Sequence, residues 1–194
     1  MAATVPSSAA PAGMPVEPSD AVVMAASRGD PERFSEIFDR YFAEIHRYVA
    51  SRLGDAAADD VAAETFLTAF TLRHKYDTGR PQARAWLYGI ATNLLRRHRR
   101  SETRAYRAVG RAADETDHAD RVAEMVSAQG MRPRLAAALA GLGAGDRDVL
   151  LLVVYGDLAY EEVAQALGIR VGTVGSRLNR ARRKLRKALE GDAE

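Results

Sequence analysis

The sequence predicts an all-α protein: two small helical domains joined by a flexible linker, the second closing on two helices set at an angle by a glycine turn. Three observations predict this. Apolar residues recur at three- and four-residue steps over several long stretches. No stretch shows the strict alternation of a half-buried strand. The apolar period lapses over residues 103–132, where Asp114, Glu115, Asp117, Asp120 and Glu124 cluster.

Composition sets the outer bounds. With 194 residues, of which 47% are hydrophobic, the chain has enough apolar content for folded domains and is long enough for one domain or two small ones. It holds no cysteine, which excludes disulfide scaffolds, thiolate-zinc sites and cysteine nucleophiles. The longest apolar run, Val149 to Tyr155, is too short to cross a bilayer. The first twenty residues carry four prolines and neither Lys nor Arg, unlike a secretory signal. A cytoplasmic protein without membrane insertion is the expectation. Residues 1–20 are mostly Ala, Pro and Ser and are expected to form a disordered tail, since they offer little surface to bury against their chain entropy.

The first domain is expected over 21–102. Phe34, Ile37, Phe38, Tyr41, Phe42, Ile45, Tyr48 and Val49 share one helical face. Pro31 suits the first turn of that helix, with Asp30 as cap, and Gly54 its end. A second helix is expected from about Ala57 to Leu72, with Val61, Ala62, Thr65, Phe66, Ala69 and Phe70 inward. A third, from about Pro81 to Arg100, turns Leu87, Ile90, Ala91 and Leu94 to the core and ends densely basic. Residues 103–132 read as a charged linker with room for a short helix near Arg121–Ala128. The second domain, 133–194, opens on a helix carrying Leu135, Leu139 and Leu142. Asp146 then caps the apolar segment Val149 to Val154, which ends near Gly156. Two further helices are expected over 160–167 and 172–189.

A net charge of +2 conceals segregation. Residues 30–70 hold nine acids and four bases; residues 170–187 hold eight bases and no acid; residues 80–107 hold eight arginines and one acid, Glu102. Lys and Arg favour helix ends in any protein. Two separated basic segments, one per domain, point further, to two places that meet phosphate.

The last helix is the most informative. Val174, Leu178, Ala181, Leu185 and Leu189 form a buried stripe, while Thr173, Ser176, Arg177, Arg180, Lys184 and Lys187 fall on another face. At 1.5 Å per residue this helix is roughly 27 Å long, and a DNA major groove admits one such helix. Thr173, Ser176 and Arg177 stand at its start, where base edges are read; Arg180, Arg183 and Lys184 stand where phosphates are gripped. Before it, Val163, Ala164 and Leu167 give Tyr160–Leu167 an inward face, and Gly168 permits a sharp turn. Helix, glycine turn and helix with a polar outer start is the helix-turn-helix pattern.

These residues also carry a resemblance. Tyr160-Glu161-Glu162-Val163-Ala164, Gly168, then Val171-Gly172-Thr173-Val174 and Ser176-Arg177-Leu178 with Arg180-Ala181-Arg182 resemble the promoter-reading domain of bacterial RNA polymerase sigma factors of the extracytoplasmic-function class. The resemblance implies that this helix reads the −35 element. Gly175 departs from the Lys or Arg common in the family, removing a phosphate contact and costing about 1 kcal/mol of helix propensity relative to alanine.

The first domain extends the resemblance. The segment Asp59 to Phe70 is similar to the family's polymerase-binding helix. Phe66 and Phe70 would anchor it, while Asp59, Asp60, Ala63, Glu64 and Leu67 would face a basic helix of the core enzyme. Ala63 replaces a common Gln. The segment Trp86 to Arg100 resembles the helix that melts and captures the −10 element. Opening a duplex needs cations for the displaced backbone and a platform for an unstacked base. Arg96, Arg97, Arg99 and Arg100 would supply charge, Asn93 a base-edge bond and Tyr88 a stacking ring. Trp86 is assigned to the core. Arg97 stands where many relatives have Asp, and Tyr76 is the other aromatic candidate. In relatives the linker threads through the polymerase; here its acidic cluster fits a nucleic-acid mimic as well as a solvated linker, the reading adopted.

No reactive constellation points to an enzyme. The histidines His46, His74, His98 and His118 lack metal-ligand spacing, and neither a nucleophile elbow nor a phosphate-binding glycine loop occurs. No cofactor is expected. The resemblance thus implies a sigma factor whose partners are core RNA polymerase, double-stranded promoter DNA and the melted −10 strand, with a place for an inhibitory anti-sigma factor. The competing reading is a helix-turn-helix repressor or activator acting without polymerase. It would need the last helix, and would have no use for Asp59–Phe70 or Trp86–Arg100.

Overall fold

A computed structural model describes residues 17–108 and 133–190. Eight α-helices occur among them, with no strand. The first domain contains α1 (Asp20–Ala26), α2 (Ser35–Leu53), α3 (Asp55–Leu72) and α4 (Arg84–Ala108). The second contains α5 (Pro133–Ala140), α6 (Ala144–Val154), α7 (Tyr160–Leu167) and α8 (Val171–Glu190). The short helix expected near Arg121–Ala128 and the acidic cluster lie outside the described residues.

Boundaries follow local chemistry. Pro31 opens a 3-10 turn, Pro31–Phe34, that leads into α2. Asp30 precedes it but makes no side-chain cap. Gly54, at φ 81°, lets α2 stop and α3 begin at once, a conformation that costs an L-residue more than glycine. α4 starts three residues later than the pattern implied and runs on to Ala108, so residues 103–108, expected in the linker, continue a helix. Asp146 is not a cap either: Gly143 holds the cap position of α6, and Asp146 lies buried inside the first turn.

The tail ends earlier than composition implied. Asp20 begins a helix and is 4% exposed. Its carboxylate accepts bonds from Arg40 Nη1 (2.8 Å), the Tyr41 hydroxyl (2.6 Å) and the Ala83 amide (2.7 Å). One acid thereby ties α1 to α2 and to the residue before α4.

Ile37, Ile45, Tyr48 and Val49 of α2 pack with Val61 and Phe66 of α3 and Leu87 and Leu95 of α4. Trp86 packs edge-on against Tyr76 at the margin. In the second domain Val149, Leu152, Val163, Val174, Leu178 and Ala181 form the centre. The two domains are packed directly on each other, chiefly through α4 against α7. A β-carbon on Gly89 of α4 would lie 2.6 Å from the carbonyl oxygen of Ala166 in α7, so the backbones themselves are in contact.

Candidate nucleic-acid interface

In the second domain α7 ends at Gly168, whose φ of 64° turns the chain into α8. The Glu162 carboxylate accepts the Ala159 amide (2.8 Å) and closes the first turn of α7. Val174, Leu178 and Ala181 bury the inner stripe of α8 as its period requires. Outside, Ser176, Arg180, Arg183, Lys184 and Lys187 are exposed, with Thr173 half-buried. Ser176 is locally engaged, its hydroxyl donating to the Thr173 carbonyl (3.0 Å).

Two of the arginines rest on α6. Arg177 lies across Gly145: a β-carbon there would stand 2.9 Å from Arg177 Nη1. Arg180 Nη1 is 3.4 Å from Asp146, a carboxylate 7% exposed beside a guanidinium 50% exposed. The first turn of α6 thus sets the directions of both side chains.

The basic helix of the first domain divides into two faces. Asn93, Arg97 and Arg100 are exposed. Arg97 pairs with Glu64 of α3. The other face is covered by the second domain. Tyr88, expected to stack a base, is fully buried, with its ring edge-on to Tyr48 and against Gly156. Its hydroxyl donates to Glu44 (2.9 Å). Burial, then the Glu44 charge, pushes that hydroxyl far above the usual phenol range, so it remains a neutral donor. Arg96 is turned inward to Asp148 of α6 (Nε to Oδ2, 2.9 Å), and Arg99 is half-buried. In this conformation the Tyr88 ring is closed to a base, and the Arg96 guanidinium is engaged by Asp148. Of the expected −10 group, the structure leaves Asn93, Arg97 and Arg100 in solvent.

Residues that the sequence reading passed over hold the covered face. Arg84 donates to the Gly156 carbonyl (2.6 Å) and the Asp157 carbonyl (3.3 Å) of the turn after α6, and to Glu44 (2.7 Å). Arg52 of α2 donates to Asp148 (2.5 Å) and to the Tyr48 hydroxyl (3.2 Å). Arg52 continues the apolar face of α2 one turn past Tyr48, and a cation on a buried stripe is the sequence signal of a buried partner.

On α3, Asp60, Ala63 and Leu67 are exposed, Leu67 at 65%. Phe66 is buried beneath them. Asp59 is exposed and bonded to His46 (2.8 Å). An acidic surface with one large uncovered apolar side chain suits a basic, apolar partner. Among the described residues there is no cluster of His, Asp or Glu suited to a metal ion, and no helix long and apolar enough to cross a membrane.

A helix-turn-helix with a cationic second helix, carried beside a helical domain with a cationic helix of its own, defines a DNA-binding protein with two contact modules. Comparison with known proteins gives the family. Residues 37–105 match sigma-70 region 2, and residues 132–185 match sigma-70 region 4. The chain is 36% identical over 170 residues to the ECF RNA polymerase sigma factor SigL of Mycobacterium tuberculosis, covering 87% of this chain and 95% of that protein. It is 30% identical over 192 residues to the RNA polymerase sigma factor CnrH of Cupriavidus metallidurans, covering 92% and 98%. A solved structure of CnrH in complex with the cytosolic domain of CnrY superposes with a TM-score of 0.63 at 29% identity, over 90% of this chain and 99% of that one. The protein belongs to the extracytoplasmic-function sigma factors, and it directs RNA polymerase to promoters. The region 2 match removes the ground for a repressor acting without polymerase.

Proposed function

We propose the following division of labour. Residues 21–102, with Asp20 added as their anchor, bind core polymerase and handle the −10 element; residues 133–194 read the −35 element. On α8, Thr173, Ser176 and Arg177 meet base edges, and Arg180, Arg183, Lys184 and Lys187 meet phosphates. On α4, Asn93, Arg97 and Arg100 meet the −10 strand at once, and Tyr88, Arg96 and Arg99 join only after the domains part. On α3, Asp59, Asp60, Ala63, Glu64 and Leu67 face the polymerase. The chain performs no chemistry itself and acts in the cytoplasm.

The packed form is the resting state. The two promoter elements are named for positions about 25 base pairs apart, about 85 Å of duplex at 3.4 Å per pair. Packed helices have axes about 8–10 Å apart. With α4 against α7, the two DNA-facing helices cannot span that separation. The Gly89–Ala166 backbone contact carries this reading. Polymerase, by holding each domain at its own site, converts two weak contacts into one avid one. An anti-sigma factor is the second partner in this reading, and the likeness to CnrH, solved in complex with the cytosolic domain of CnrY, supports a bound protein partner.

Run-off transcription with core polymerase on a promoter library, with and without the chain, tests the proposal. New start sites appear only with the chain, and weaken when Leu67 or Arg177 is replaced by alanine. Start sites indifferent to both substitutions would refute the assignment.

A further inference from the structure

The contact at Asp148 has the form of an occupied anion site. Asp148 belongs to the second domain, yet its side chain is 1% exposed and is held by two arginines of the first. Arg52 Nη2 reaches one carboxylate oxygen (2.5 Å); Arg96 reaches the other with Nε (2.9 Å) and Nη2 (2.8 Å). Two guanidiniums on two helices, each holding a different oxygen, match the two free oxygens of a phosphodiester. Arg52 is 98% covered, and its Nε is buried without a hydrogen-bond partner. Arg99 stands close enough to feel both Arg52 and Asp148. Burial, followed by the neighbouring Arg52 and Arg147 charges, draws the Arg99 pKa down to about 9; Asp148 acts the other way.

We propose that Arg52, Arg96 and Arg99 form a binding site for a backbone phosphate of the −10 strand, and that Asp148 occupies it in the resting chain as an internal stand-in for that phosphate. Separation of the domains withdraws Asp148 and leaves like charges facing one another over the Tyr48 and Thr92 hydroxyls, which bond each other (2.9 Å). A nucleic-acid strand relieves that repulsion. Exposed Asn93, Arg97 and Arg100 stand on the same helix, within one turn of Arg96, which favours nucleic acid over an acidic protein segment. Arg52 comes from α2, so the contact extends beyond the helix from which the −10 reading was drawn. The proposal rests on that reading of α4.

A phosphate contact carries no sequence information, so the probe is a fluorescent single-stranded dT20, titrated against the full chain by anisotropy across a salt series. Asp148→Asn keeps the shape and removes the charge; it should bind dT20 about tenfold more tightly than the parent. Adding Arg52→Gln should return the affinity to the parental level and reduce the slope of log K against log salt by about 0.7, the loss of one phosphate. Should Asp148→Asn fold poorly by circular dichroism, Gly89→Ala opens the domains without touching the charges, and Arg52→Gln is tested in that background. Unchanged affinity in the opened chain, or an opened chain whose affinity and slope ignore Arg52, overturns the proposal. So does binding of inorganic phosphate, or of a polyglutamate peptide, without a gain for dT20. Run-off transcription that ignores joint replacement of Asn93, Arg97 and Arg100 would instead indict the reading of α4, so the two failures are separable.

Discussion

Gly89 and Ala166 meet so closely that no side chain fits between them: a β-carbon on Gly89 would stand 2.6 Å from the Ala166 carbonyl oxygen and 3.4 Å from its Cα. The obstacle is backbone on a different domain, and cannot rotate away. Gly89→Ala should therefore part the domains while favouring α4 itself, since alanine is preferred over glycine in a helix by about 1 kcal/mol. Small-angle scattering should show a larger radius of gyration with unchanged helical circular dichroism. An unchanged radius would mean that the contact yields.

Arg177 of α8 lies against Gly145 of α6. Arg177→Ala should cost about 1–3 kcal/mol of −35 affinity and relax selectivity at the base it reads. Gly145→Ala, which intrudes on the guanidinium at 2.9 Å, should change selectivity with a smaller loss of affinity. Anisotropy titrations against single-base variants of a −35 duplex separate the two. Equal affinity for every variant would remove Arg177 from the readout.

Gly175 has open space where a β-carbon would point. Gly175→Ala should stabilise the second domain by about 1 kcal/mol in urea unfolding. Gly175→Lys should also steepen the salt dependence of duplex binding by about 0.9, one added phosphate contact. A lysine variant with the parental slope would show that position 175 faces away from the backbone.

Leu67 is 65% exposed on a helix otherwise anchored by Phe66. Leu67→Ala should leave folding stability within about 0.5 kcal/mol of the parent. Its affinity for core polymerase should fall about tenfold, or about 1.4 kcal/mol. Surface plasmon resonance with immobilised core enzyme reads the loss. Unimpaired binding would place the docking face elsewhere.

Local pattern carried much of the fold. The step of Val174, Leu178 and Ala181, the turn at Gly168 and the break at Gly54 are each written within a few residues, where helix periodicity and glycine chemistry act. What joins the domains is not. Arg52 and Asp148 are 96 residues apart, and Asp148 merely precedes an apolar run that read as ordinary core. Tyr88 read as a stacking ring through the resemblance of Trp86–Arg100 to a helix that melts the −10 element, and only the turn at Gly156, packed over its ring, reveals it as covered. Asp20 stood at the end of a stretch rich in alanine and proline, with its three partners on later segments. Arg52 was the one legible hint, a cation continuing a buried face.

In the proposed mechanism one chain holds its two DNA-facing modules together at rest and apart on a promoter. Because the sequence contains no cysteine, Ser35→Cys and Ala188→Cys, both at exposed positions, accept a donor and an acceptor dye cleanly. Energy transfer should be high in the free chain and fall to near background once core polymerase and promoter DNA are added. Transfer that stays high in the promoter complex, or is already low in the free chain, would contradict it.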